Sequence, residues 1–133
     1  MSAEPAAYLD SSAFVKLFSE ERESQALKTY LETWASSASS ALLRVEGLRA
    51  ANKLGSDAVI AARDRIDRMI LIPIDDAILE EAAFMGSQVP RSLDAIHLAT
   101  ARQLGSDLGV IVTYDQRLAQ AARSIGLVVE SPN

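Results

Sequence analysis

Four carboxylates in this chain sit where an acid can do chemistry as well as solvate a surface. Asp10 ends the apolar run A-A-Y-L at 6–9 and is followed at once by S-S-A-F-V-K. Asp115 ends a second run, G-V-I-V-T-Y at 109–114. Both stand where a buried strand hands over to a helix. In a parallel α/β sheet all strand C-terminal ends share one edge, and ligands bind outside that edge. Two such aspartates can therefore be neighbours in space though far apart in sequence. Glu46 lies in a helical stretch at 42–54, with Arg49 and Lys53 at i+3 and i+7 on its face. Asp94 lies in the first turn of a helical stretch at 93–104 that is apolar nearly all round.

Each acid also has a purely structural reading. Asp10 and Asp115 suit helix N-caps, worth ~1 kcal/mol each. Glu46 suits a surface ion pair with Arg49, worth ~0.3 kcal/mol. Asp94 suits a helix N-terminus, where an acid contributes ~0.3–1 kcal/mol. Convergence of all four changes the chemistry. Two carboxylates ~5 Å apart repel by about 3 kcal/mol at an effective dielectric of 20, and a domain has only ~5–15 kcal/mol of stability to spend. A hard divalent cation offsets that repulsion, and Mg²⁺ or Mn²⁺ prefers such oxygen ligands. A metal-bound water is a nucleophile, and the ion stabilises charge developing on a phosphate. The chemistry that follows is phosphodiester hydrolysis.

The composition narrows the field. The chain has 133 residues, 49% hydrophobic and 23% charged, which suits one globular domain over 1–133. A domain of ~150 residues buries about 70% of its unfolded surface. With no Cys and a single His, disulfide frameworks, thiolate sites and multi-histidine zinc sites are excluded. No apolar run approaches the ~20 residues of a spanning helix. The opening M-S-A-E-P lacks the basic and apolar regions of a secretory signal, so a cytoplasmic location away from membranes is expected. The net charge of −5 disfavours nucleic acid in bulk, because a basic stripe is its usual footprint. The charge is uneven, however: six of the thirteen basic residues fall between Arg44 and Arg68, against four acids.

The elements that must position the acids can be read in order. A strand at 6–9 precedes a helix at 12–19, where Phe14, Leu17 and Phe18 share a face. A helix at 23–35 and a Ser/Ala-rich connection at 35–41, with room for a short strand, come next. The helix at 42–54 should turn Val45 and Leu48 inward and stop at Gly55. Ser56 caps a helix to about Met69. The run at 69–74 is a strand, and Pro73 puts it at an edge. A helix at 75–85 and a loop at 86–90 lead to the Asp94 helix, capped by Ser92. The strand at 109–114, a helix from Asp115 to Ser124 and a strand at 127–129 close the chain. Continuous apolar strands alternating with helices imply an α/β fold, a mostly parallel sheet covered on both faces.

Four blocks carry a resemblance: Y-L-D-S-S-A at 8–13, S-A-L-L-R-V-E at 40–46, R-S-L-D-A-I-H-L-A-T-A at 91–101 and T-Y-D-Q-R-L at 113–118. In this order they resemble the PIN-domain family, and more narrowly the VapC-type toxins of bacterial toxin–antitoxin pairs, over about residues 7–130. The resemblance implies a three-layer α/β/α sandwich, Mg²⁺ or Mn²⁺ as cofactor, and hydrolysis of single-stranded or loop RNA. It assigns Asp10, Glu46, Asp94 and Asp115 as the metal-binding acids. It places Ser12 and Thr113 as hydroxyls near the metal that bind its waters or a carboxylate. It also implies a homodimer and a cognate VapB-type antitoxin laid across the active-site groove.

Beyond these, Arg49 and Lys53 are candidates for RNA contact, and Arg91 for phosphate contact or a plain surface role. His97, one turn after Asp94 and flanked by Ile96 and Leu98, reads as a packed helix residue. Two rival functions are weighed beside the metal-dependent endoribonuclease toxin. A haloacid-dehalogenase-like phosphotransfer enzyme using Asp10 needs a second Asp at position 12, which is Ser, and a receiver-like protein needs a late Lys, yet none follows Lys53. A non-catalytic α/β binding module would use the acids as helix caps only.

Overall fold

The computed structural model describes residues 4–133. Residues 1–3, which begin the segment read as lacking a secretory signal, lie outside the described residues. Five strands form one sheet: β1 (Ala6–Leu9), β2 (Ser37–Ser40), β3 (Ile70–Ile72), β4 (Leu108–Val112) and β5 (Val129–Glu130). All neighbours pair in parallel, in the order β3-β2-β1-β4-β5. Seven helices accompany them: α1 (Ser11–Val15), α2 (Ser24–Leu31), α3 (Leu43–Leu54), α4 (Ser56–Asp67), α5 (Asp76–Ala83), α6 (Ser92–Gln103) and α7 (Gln116–Ser124).

The alternation of side chains along a strand divides the core into layers. Tyr8 on β1 and Ile111 on β4 face α6 and α7, packing with Leu98, Leu118 and Ala122. Ala7, Leu9, Val110 and Val112 face the other way, onto Leu27 and Leu31 of α2 and Ala13 of α1. The result is the expected three-layer α/β/α sandwich. A third cluster, Phe14 with Leu43, Ala51, Ala62 and Ile66, ties α1 to the α3–α4 pair.

This last cluster decides where Glu46 stands. Its neighbour Gly47 meets the ring of Phe14 so closely that a Cβ there would lie 2.6 Å from Cε2. Only a residue without a side chain lets α3 approach α1 this far. Inward-facing residues of α3 are thus Leu43, Gly47 and Ala51. Val45, expected to face inward, is instead 57% exposed, because close approach at Gly47 turns the buried stripe away from it. Leu48 is partly buried against the third cluster, as expected.

The order of strands creates a crevice. The chain runs from β1 outward through β2 to β3, then returns to the other side of β1 for β4 and β5. The switch point therefore lies between β1 and β4, where ligands bind outside the carboxyl ends of the strands in open α/β sheets. Leu9 pairs with Val112, so Asp10 and Thr113 leave the sheet side by side. The edge position of the strand before Pro73 is as expected. Small shifts separate other expectations from the fold. The first helix ends at Val15, and Ser92 is the first residue of α6, with no side-chain cap from Arg91 before it. The last strand begins at Val129 because Gly126, at φ +86°, carries the turn out of α7.

Candidate active site

Asp10 is held from three sides. Its Oδ1 accepts from the Ala13 amide at 3.0 Å and from Ser12 Oγ at 2.7 Å. Its Oδ2 accepts from Thr113 Oγ1 at 2.6 Å. The two hydroxyls are themselves pinned: the Tyr114 amide donates to Ser12 Oγ and the Asp115 amide to Thr113 Oγ1. Asp10 is thus an N-cap, but a cap spends only one of its oxygens. The residue is 4% exposed. Burial pushes its carboxyl above the usual range, against the opposing pull of the bonds from Thr113, Ser12 and Ala13.

Asp115 repeats the design on β4. Its Oδ1 caps α7 by accepting from the Arg117 and Leu118 amides at 2.9 and 3.3 Å. Its Oδ2 accepts from Arg91 Nη2 at 2.9 Å. Burial raises its carboxyl, but the Arg91 and amide bonds outweigh this and hold it below the ordinary range. The same guanidinium donates through Nε to Asp94 Oδ2 at 2.6 Å. Arg91 therefore bridges two of the four acids, and they in turn raise its own basicity.

Glu46 reaches the cavity from α3. Its Oε1 meets His97 Nε2 at 2.8 Å, and no ion pair with Arg49 forms. Glu46, Asp10, Asp94 and Asp115 line a single cavity of 310 Å³ together with Arg91 and His97. Among the described residues, no three acids or imidazoles are drawn tightly enough together to hold an ion as they stand. The donor set nevertheless fits a hard cation. Its four carboxylates are joined by no thiolate, and Asp94 and Asp115 already share one positive charge, that of Arg91.

The other sequence candidates lie as follows. Ser12 and Thr113 both donate to the Asp10 carboxylate. Arg91 lines the cavity with its side chain 37% exposed. Arg49 lies in a separate groove between α3 and α4 with Arg44 and Arg63, and Lys53 is exposed at the end of α3. His97 is buried, as its neighbours suggested, yet it is bonded to a site acid. The signal for this was its i+3 spacing from Asp94, which puts both on one face of α6. Arg91, likewise, stands three residues before Asp94, within reach of an i,i+3 pair.

The Arg91 bridge has a measurable consequence. The paired Asp115 carboxyl gives up its proton more readily in the folded chain than in the unfolded one. Its contribution to stability is complete above the ordinary Asp value of about 3.9 and is lost as the pH falls through the lower folded value. Arg91→Gln should lower the melting temperature by a few degrees at neutral pH in chelator. It should also flatten the loss of stability on acidification below about pH 4. Thermal melts of both proteins across that range check the effect.

The crevice and its acids define a class, parallel α/β proteins with a carboxylate-lined pocket at the strand switch point. A family model, the PIN domain, matches residues 7–124. The chain is 45% identical to ribonuclease VapC46 of Mycobacterium tuberculosis over 128 residues, 96% of this chain and 98% of that protein. It is 37% identical to ribonuclease VapC47 of the same organism, over 94% of this chain and 96% of the other. Among solved structures it is similar to a toxin–antitoxin complex from Klebsiella pneumoniae, with a TM-score of 0.75 and 25% identity over 96% of this chain and 98% of that one. The fold is also that of Mycobacterium tuberculosis VapC20, a sarcin–ricin loop cleaving toxin, with a TM-score of 0.75 and 17% identity over 96% of this chain and all of that one. The chain belongs to the PIN-domain family, in its VapC branch.

Proposed function

We propose that this protein is a VapC-type endoribonuclease toxin that hydrolyses RNA phosphodiester bonds with Mg²⁺ or Mn²⁺, acting as a single domain. The observation that carries the reading is a cavity lined by carboxylates from four separate segments. Asp10, Asp94 and Asp115 are the proposed ligands, and Glu46 is a ligand or orients the attacking water. The bound ion supplies a water activated at neutral pH and a positive charge for the phosphate. Ser12 and Thr113 fix the Asp10 carboxylate so that its rotamer is set before substrate arrives. Arg91 holds Asp94 and Asp115 against their mutual repulsion and is within the cavity to meet a phosphate.

The helix-cap reading of the acids accounts for Asp10 and Asp115 only in part. Each uses Oδ1 as the cap and turns Oδ2 to Thr113 or Arg91. It gives no reason for Glu46 and Asp94 to share the cavity. A phosphotransfer role for Asp10 is disfavoured because position 12 is Ser rather than a second Asp and no Lys follows Lys53.

The proposed partners are a VapB-type antitoxin as inhibitor, in keeping with the similar toxin–antitoxin complex, and a second copy as dimer mate. Exposed Val45 and Ile60 on α3–α4, and Leu79, Phe84 and Leu93 near α5–α6, offer apolar surface to such partners. The test is direct. Purified protein incubated with single-stranded and stem–loop RNA should produce discrete fragments with Mg²⁺ or Mn²⁺ and none with chelator. Equal cleavage in chelator sinks the metal-dependent reading.

A further inference from the structure

We propose that Tyr8 and His97 form a positioning relay that fixes which oxygen Glu46 offers to the cavity. The inference rests on the reading of Glu46 as a member of the ribonuclease site. Tyr8 Oη lies 2.7 Å from His97 Nδ1, and His97 Nε2 lies 2.8 Å from Glu46 Oε1. Tyr8 and His97 are 1% and 3% exposed, with their rings edge to face at 5.9 Å.

The direction of the relay follows from what each group can do. An ionised carboxylate only accepts, so Nε2 carries the proton and donates to Glu46. In a neutral imidazole the other nitrogen then accepts, so Tyr8 donates to Nδ1. The phenol thereby selects the imidazole tautomer, and the imidazole selects the carboxylate oxygen. Glu46 Oε1 is occupied, and Oε2 is the atom left to the cavity.

Packing alone does not explain this arrangement. Tyr8 comes from β1, His97 from α6 and Glu46 from α3, so the relay joins three elements around one oxygen. A buried imidazole and phenol cost free energy unless hydrogen-bonded, and an apolar pair would fill the same space without that cost. Glutamate has three side-chain torsions, and Arg49, one turn on along α3, is exposed and makes no ion pair with it, so the bond to His97 restrains its carboxylate. Partners that orient a metal-site carboxylate are commonly worth 10–100-fold in metal affinity or activity.

The experiment compares Glu46→Gln, His97→Leu, His97→Gln and Tyr8→Phe in Mn²⁺ binding by calorimetry, in RNA cleavage and in melting temperature. His97→Leu should weaken Mn²⁺ binding or lower kcat by about 10–100-fold with KM for RNA unchanged. His97→Gln, whose amide nitrogen can donate in place of Nε2, should recover to within a few-fold of the parent. Tyr8→Phe should show a smaller loss of the same kind, and His97→Leu should add little in the Glu46→Gln background. The relay is overturned if His97→Leu and His97→Gln both match the parent. It is equally overturned if both fall alike, in step with their melting temperatures. A Glu46→Gln protein that binds Mn²⁺ and cuts RNA like the parent would instead overturn the role given to Glu46.

Discussion

Asp10→Asn should abolish RNA cleavage while leaving the fold as stable as the parent, or more so, in chelator. Asparagine caps a helix as well as aspartate, so the bond from the Ala13 amide survives, as does that from Ser12 Oγ. The amide group that replaces Oδ2 faces Thr113 Oγ1, which can turn its proton away and accept instead. What the substitution removes is charge. Burial makes the Asp10 carboxylate costly: the folded chain binds its proton more tightly than the unfolded chain, so stability falls as the pH rises through the carboxylate range. Asparagine lacks that penalty at every pH. Removing a proposed ligand should cost more than the 10–100-fold typical of a supporting residue, so cleavage should fall by more than about 100-fold. Melting curves in chelator and cleavage rates with Mn²⁺ check both halves. A variant that loses activity because it unfolds would leave the ligand role of Asp10 without support.

The second large effect is on stability. Four carboxylates around one cavity repel at neutral pH, and Arg91 compensates only two of them. Saturating Mg²⁺ or Mn²⁺ should therefore raise the melting temperature of the parent. At a concentration 100 times its Kd, a ligand that binds only the folded state contributes about 2.7 kcal/mol. For a chain of this size that corresponds to a rise of about 10 °C. The rise should vanish on chelation and be absent in Asp10→Asn and Asp94→Asn. A parent protein whose melting point ignores both ions contradicts a metal site at these acids.

Much of this site was legible in the sequence for a physical reason. Strand-to-helix junctions place a residue at the sheet's carboxyl edge whatever the rest of the chain does, so Asp10 and Asp115 could be paired from local pattern alone. Glu46 and Asp94 sit inside helices, and a helix can be rotated, so residue types alone left their direction open. That direction is set by long-range packing, in which Gly47 lets α3 close on Phe14. The same cause exposed Val45 against expectation. The two bonds that most change the electrostatics, Arg91 across Asp94 and Asp115 and His97 on Glu46, were missed. Arg91–Asp115 and His97–Glu46 link segments that meet only in the fold, and each residue has a bland local reading. The strand β2, S-A-S-S at Ser37–Ser40, lies in a stretch whose sequence reads as a connection with room for a short strand. Its Ser39 and Ser40 are fully buried, and serine gives no apolar run to announce a strand in the middle of a sheet. Ser39 Oγ instead donates to the Leu9 carbonyl at 2.6 Å, beside the residue that matters most.

The most direct measurement is a map of new RNA ends in cells after brief expression of the parent, Asp10→Asn and Asp94→Asn. The account predicts a discrete set of cleavage sites with the parent and none above background with either variant, at equal levels of folded protein. The same cleavage sites in all three, or none in any, would contradict it.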